Sequence, residues 1–212
     1  AYNDSLGIEK LQKYASLFGL NERTGIEIEE AAPQIANEFP VMAAIGQSNN
    51  NYTTVQLARY VTAVANEGTV YQYTLLNRLE DSDGNVLQTF EPQVRNQIDV
   101  LDTEEWNAIH SGMRMVVENT KEFDGFPIEA AGKTGTAQQN LKRPNHALFV
   151  GYAPYDDPEI SIATRIAYGY TSHNAAKLAR NVFAYYFNVE NEDELLNGQA
   201  ANGNSSSNEI SD

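Results

Sequence analysis

The sequence predicts an α+β fold, an antiparallel sheet flanked by helices, and three observations predict it. Helical and β periodicities occupy separate stretches, with helices and a hairpin first, strands next and a helix last. A Thr53…Gln56 pair opens a helix as a capping box, with Leu57, Ala58, Val61, Val64 and Ala65 lining one face and Gly68 closing it. Finally, Ile160, Ile162, Ile166 and Tyr168 share one parity, as a half-buried strand requires.

The elements follow in order. Ile8, Leu11, Ala15 and Phe18 recur at helical spacing, and Gly19 supplies a stop. From Asn21 to Tyr52 no period is sustained and Pro33 and Pro40 intervene, so this stretch reads as an ordered connection wrapping over something functional. Val70–Glu80 and Val86–Phe90 flank Ser82-Asp83-Gly84-Asn85, whose Asp-Gly step between apolar runs predicts a hairpin. Asp102, with Glu105 three residues on, opens a helix whose apolar face is Trp106, Ile109, Met113, Val116 and Val117. Strands are expected at about 129–138, 146–153 and 159–168, with Pro154–Pro158 turning between the last two. A closing helix shows Ala175, Leu178, Ala179, Val182, Phe183 and Tyr186 on one stripe. Beyond about Glu190 the chain is Asn, Ser, Glu and Gly with almost no apolar content, which predicts a disordered polar tail over 190–212.

The length of 212 residues is enough for one domain or a large piece of one. With 29 acidic against 14 basic side chains the net charge is −15. Such a surface repels phosphate backbones and anionic headgroups, so nucleic acid and membrane surfaces are not expected partners. The absence of cysteine excludes disulfides and thiolate metal sites. His110, His146 and His173 lack ligand spacing and read as surface or capping residues, so neither metal nor cofactor is expected. No window approaches the roughly 18 apolar residues of a membrane span, and the opening Ala1-Tyr2-Asn3-Asp4 reads as the interior of a longer protein.

The chemistry concentrates in Ala131-Gly132-Lys133-Thr134-Gly135-Thr136-Ala137-Gln138. Gly132-Lys133-Thr134 mimics the end of a phosphate-binding P-loop, but that motif needs glycine where Pro127 stands, so the reading fails. Lys-Thr-Gly is also the third part of a serine acyl-transfer signature whose first part, Ser-x-x-Lys, carries the nucleophile. No Ser-x-x-Lys occurs in the chain. On an open strand edge the backbone of 134–138 can pair with an extended peptide or lactam. Gly135 permits close approach, the Thr134 and Thr136 hydroxyls can bind a carboxylate, and Lys133 supplies positive potential. The Thr136 N–H can serve an oxyanion, which is typically worth about 3 kcal/mol of barrier. Taken alone, the triplet also fits ordinary β-edge chemistry with an exposed lysine.

Several stretches in fixed order set a context for it. Phe18-Gly19-Leu20 with Thr24-Gly25-Ile26, then Ile45-Gly46-Gln47, then Thr54 with Gln56-Leu57-Ala58 and Ala65-Asn66-Glu67-Gly68, precede the Lys-Thr-Gly segment. Ala147 to Pro154 follows it, with Ala147-Leu148 where an aromatic is more usual. From about Leu6 to Phe187 this series resembles the C-terminal half of class B penicillin-binding protein transpeptidase domains.

The resemblance implies a β-lactamase/transpeptidase-like fold, incomplete in this chain, with residues 1–189 as the C-terminal part of the domain. The family sheet has about five strands, and only three are apparent here. It implies a peptidoglycan D,D-transpeptidase in which a serine outside this chain attacks D-Ala-D-Ala stem peptides and is acylated by β-lactams. Lys133 and Thr136 are then the catalytic candidates, and Thr134, Gly135, Thr136, Ala137 and Gln138 contact substrate. Stem peptides, β-lactams, the remainder of the domain and a cell-wall synthesis or division complex are the implied partners. The implied location is the extracytoplasmic face of a bacterial membrane, anchored through a segment outside these residues. Ser48-Asn49-Asn50 fits the letters of the second motif, Ser-x-Asn, but stands where the family has Gly-Gln-Gly. It is read as coincidence, as is Ser206-Ser207-Asn208 in the tail. A β-lactam sensor, a serine β-lactamase and a non-catalytic partner-binding module remain the alternatives.

Overall fold

The computed structural model describes residues 7–191 and Leu195. The predicted tail therefore lies almost entirely outside the described residues. Two compact units divide the chain, Ala1–Asn107 and Ala108–Asp212.

In the first unit, helix α1 (Ile8–Leu17) ends at Gly19, whose φ of +74° is the left-handed conformation that suits glycine. The expected connection over 21–52 carries only a one-turn helix, α2 (Pro40–Ala43), and an isolated bridge between Gln34 and Asn51. Helix α3 (Thr54–Ala65) starts as predicted. Gln56 N donates to Thr53 Oγ1 at 3.2 Å and Thr53 N donates to Gln56 Oε1 at 2.7 Å.

The buried face of α3 is more polar than the periodicity suggests. Gln56 and Arg59 are fully buried there, whereas Leu57 and Ala58 are only half-buried. The Gln56 amide donates to Glu22 O at 3.0 Å, and the Arg59 guanidinium donates to Gly19 O and to Arg23 O. Nearby, Glu30 accepts from Thr24 N at 2.7 Å and from Thr53 Oγ1 at 3.1 Å. The Phe18-Gly19-Leu20…Thr24-Gly25-Ile26 segment is thus held through its backbone by two polar side chains of α3. Gly19 is required for this, because a Cβ there would lie 2.6 Å from Arg59 Nη2.

The hairpin forms as β2 (Arg78–Glu80) with β3 (Val86–Thr89), and its turn is held by the Asp81 carboxylate, which accepts from Asp83 N and Asn85 N. The run before it does not continue as one strand. Residues 69–72 form β1 (Thr69–Gln72), which pairs instead with β4 (Gln93–Gln97). The Glu27 carboxylate pulls the chain away after β1 by accepting from Leu75 N at 2.8 Å and from Thr74 Oγ1. Nothing in the periodicity announces β4, since Val94 is its one apolar residue and is exposed, while Arg95 pairs with Glu22 at 2.6 Å.

Helix α4 (Thr103–Glu118) carries the expected box between Asp102 and Glu105. In the second unit, β5 (Ala131–Ala137), β6 (His146–Ala153) and β7 (Ile160–Ile166) form one antiparallel sheet in that order, and α5 (Ser172–Tyr186) packs on one face. Ala175, Ala176, Ala179 and Phe183 of α5 meet Ala147, Phe149 and Ala153 of the sheet. The expected stripe is rotated, because Leu178, Val182 and Tyr186 are exposed and the alanines take their place. Small residues let the helix approach the sheet closely. Strand β7 stops before Tyr168, whose φ of +56° leaves the extended region.

Replacing Arg59 by leucine strands the Gly19 and Arg23 carbonyls without a donor. It is expected to lower stability by about 1–3 kcal/mol. Urea unfolding checks this, and an unshifted midpoint contradicts the role given to the guanidinium.

Candidate active site

Strand β5 is an edge strand: β6 pairs along one flank, and no strand among the described residues pairs along the other. Its register places Gly132 opposite Gly151, Thr134 opposite Phe149, Gly135 opposite Leu148 and Ala137 opposite His146. Phe149 is fully buried, and its ring stacks on Phe123 at 5.7 Å. That ring also fills the space over both glycines. A Cβ on Gly132 would lie 2.3 Å from Phe149 Cζ, and one on Gly151 would lie 2.7 Å from Cε1. Two glycines facing one aromatic therefore fix how β5 seats on β6.

All the sequence candidates fall on or just past this edge. Lys133 is exposed, and its Nζ donates to Thr134 O at 2.9 Å. Thr134, Gly135, Thr136 and Ala137 are half-buried, and Gln138 is exposed beyond the strand. Strand alternation puts Lys133, Gly135 and Ala137 on one face and Thr134 and Thr136 on the other, so the lysine and the hydroxyls meet only at the edge between them. Gly135 differs from Gly132 in kind. A Cβ there would touch only Leu148, at 3.4 Å, so the described packing does not demand glycine at this position.

Ser48-Asn49-Asn50 is engaged in a loop of its own unit. These residues belong to the first unit, where Ser48 Oγ donates to Glu38 O at 2.6 Å and Asn50 Oδ1 accepts from Ala36 N at 2.8 Å. Their side chains hold the local loop. A cleft of about 430 Å³ in the same unit is lined by Tyr71, Tyr73, Leu76, Phe90 and Pro92 among others, with no carboxylate, amine or imidazole. Among the described residues no group of three or more His, Asp and Glu side chains is placed to hold a metal ion.

One cluster escaped the sequence. His146 is not a surface residue but is 6% exposed, and both ring nitrogens are engaged. Nδ1 accepts from Tyr168 N at 3.0 Å, so the ring proton sits on Nε2, which donates to Gln139 Oε1 at 2.8 Å. The ring lies 4.9 Å from the Tyr168 ring, and Arg165 Nη2 approaches Nε2 to 3.4 Å. Arg143 stacks on the other aromatic partner, 5.1 Å from the Tyr168 ring, and donates to its hydroxyl at 2.7 Å. The partners are 7 to 25 residues apart in sequence, which is why no local spacing signals them. Burial, then the neighbouring Arg165 charge, hold the His146 pKa below the usual histidine range. His110 and His173 behave more simply, the first stacked on Tyr152 and the second paired with Glu122.

The match to known proteins follows this geometry. The family model for the penicillin-binding protein transpeptidase domain covers residues 2–184. This chain belongs to that family. A peptidoglycan D,D-transpeptidase, MrdA, of Haemophilus influenzae is 33% identical over 89% of this chain and 34% of its own length. Penicillin-binding protein 2A of Bacillus subtilis is 26% identical over 94% of this chain and 31% of its own length. The solved penicillin-binding protein 2B of Streptococcus pneumoniae superposes with a TM-score of 0.75 at 25% identity, over 87% of this chain and 33% of that one. The chain thus spans about a third of the length of these penicillin-binding proteins. The resemblance read from the ordered stretches is borne out, and the α+β class with it.

Two outcomes are expected from this geometry. Gly132→Ala should cost about 1–3 kcal/mol by overpacking against Phe149, with part recovered in the Gly132→Ala/Phe149→Leu double variant. Denaturant midpoints of the single and double variants check it, and additive losses contradict the contact. A folded-state pKa held down means that the unfolded chain binds a proton that the folded His146 refuses. The stability His146 contributes is therefore full above the usual histidine value near 6.5 and is lost as pH falls below it. Melting temperatures from pH 8 to 5 should fall more for the native protein than for His146→Gln, and parallel curves would refute this.

Proposed function

We propose that this chain is the C-terminal part of the transpeptidase domain of a peptidoglycan D,D-transpeptidase, whose serine lies outside these residues. One observation carries the reading. In a member of this family, the Lys-Thr-Gly-Thr segment lies on an edge strand with one backbone flank open to an extended ligand.

The donor stem peptide pairs along β5 with its terminal carboxylate at the Thr134 and Thr136 hydroxyls. Lys133 supplies the positive potential that favours an anion there. The serine oxygen bonds to the carbonyl carbon of the penultimate D-Ala, giving a tetrahedral oxyanion held by Thr136 N–H and the serine's own N–H. The C–N bond to the last residue then breaks. Its nitrogen takes the proton the serine lost, and D-alanine leaves. An amine of a neighbouring stem peptide attacks the ester, the C–O bond to serine breaks, and the serine recovers a proton. A β-lactam follows the first half, its ring amide opening on the serine with no leaving fragment to vacate the site. Gly135 lets the ligand backbone come close, and Ala137 and Gln138 extend the pairing. In this reading the protein works on the extracytoplasmic side of the membrane, held by a segment outside this chain and within a cell-wall synthesis complex.

The protein that contains this chain together with its serine is expected to label covalently with fluorescent penicillin, while the 212 residues alone do not. Lys133→Ala should slow acylation about 10²-fold. Labelling of the isolated chain, or none of the intact protein, overturns the reading.

A further inference from the structure

The β2–β3 hairpin of the first unit is a sheet of its own. Among the described residues each strand pairs only with the other, so each keeps an open flank. The two flanks differ. On β2, Arg78 and Glu80 stand either side of Leu79 and pair with each other, and such charges discourage pairing with another chain. On β3 and its continuation, Val86 to Phe90 carry no charge at all, and Val86 and Leu87 are 52% and 67% exposed. The ladder skips Leu87 as a bulge and is regular beyond it. Phe90 N donates to Asn77 O at 2.9 Å, so by alternation the N–H and C=O of Thr89 point away from β2.

This flank runs directly into the cleft of about 430 Å³ already described. Phe90 and Pro92, which follow β3, line it together with Tyr71, Tyr73 and Leu76. Leu75, another lining residue, is 61% exposed. An apolar cleft that continues an open strand flank is the pattern of strand-addition sites, where the backbone pairs along the edge and one side chain is anchored in a pocket.

Charge selects the occupant. Between Arg78 and Arg95 the chain holds Glu80, Asp81, Asp83 and Glu91 and no basic residue, and Arg78 is already paired with Glu80. A second copy would bring the same acidic rim against this one. The chain's own last stretch, with Glu192, Asp193 and Glu194, is acidic too. Like charges oppose both. We propose that the β3 flank and the adjoining cleft dock an extended basic segment of a partner polypeptide, one in which lysines or arginines alternate with apolar residues. Its backbone pairs with Thr89, one large apolar side chain enters the cleft, and its cations meet the acidic rim. This surface goes beyond the transpeptidase reading and does not depend on it.

The test uses the intact protein with its serine and a fluorescent peptide of alternating lysine and valine around one central tryptophan. Comparison peptides carry glutamate for lysine, alanine for tryptophan, or N-methyl groups on the backbone. Anisotropy titrations should show the lysine peptide binding about tenfold more tightly than each of the three. Added salt should narrow the gap to the glutamate peptide. Asp83→Lys/Glu91→Lys, at two exposed positions of the rim, should reverse the preference for lysine over glutamate. Asp156→Lys/Asp157→Lys makes the same charge change at exposed positions of the other unit and should leave the preference in place. Equal binding of the lysine and glutamate peptides, or equal effects of the two double substitutions, overturns the proposal. So does a lack of binding by every peptide, whether the rest of the protein covers the hairpin or sedimentation shows a second copy on it. Fluorescent penicillin labelling of the same samples reads the transpeptidase assignment separately, so either reading can fall while the other stands.

Discussion

Phe149 occupies the space that Gly132 and Gly151 leave empty, and the position of the candidate strand follows from that contact. An edge strand has ladder bonds on one side only, so it is held in register more weakly than a central one. Here the ring of a fully buried phenylalanine, itself stacked on Phe123, presses the first residues of β5 against β6. The candidate site residues begin immediately after this pinned point. Lys133 to Thr136 can therefore present an open backbone flank without the strand sliding or peeling away.

The first unit solves a different problem by polar means. A long irregular segment carries many backbone groups that need partners, and it cannot be covered by apolar packing alone. Arg59 and Gln56, spaced three apart on α3, reach the carbonyls of Gly19, Glu22 and Arg23, while Glu30 accepts from Thr24 and Thr53. Burial lowers the Arg59 pKa and the Glu22 and Glu30 charges act against that, so the guanidinium is kept charged in a buried position. The two ordered stretches around Gly19 and Gln56 that pointed to the family are the two halves of this network.

Much of the fold was legible because its signals are local. The capping residues Thr53 and Asp102, the Asp83-Gly84 turn and the alternation in 160–166 each act within a few residues of chain. What stayed hidden depends on distant partners. Strand β4 exists because Val70 and Asn96 find each other, and its own composition is polar. The exposure of Leu178, Val182 and Tyr186 follows from alanines fitting the sheet better than larger side chains. At the site, the Lys-Thr-Gly letters located the edge, but the cluster around His146 is assembled from a strand, a loop and the turn after β7. Sequence spacing could not have joined it.

The link between β5 and β6 combines a fixed base with a projecting tip. His146 and Gln139 close the base, whereas Leu141 at the tip is 89% exposed. Lengthening such a tip costs little, since doubling a flexible loop adds only about 0.6 kcal/mol of closure entropy. Lineages can therefore insert or delete residues there and so reshape the entrance to the strand, while the sheet beneath keeps its register. The surroundings of the Lys-Thr-Gly segment have an inexpensive route to change through this tip, one that leaves the segment itself unchanged.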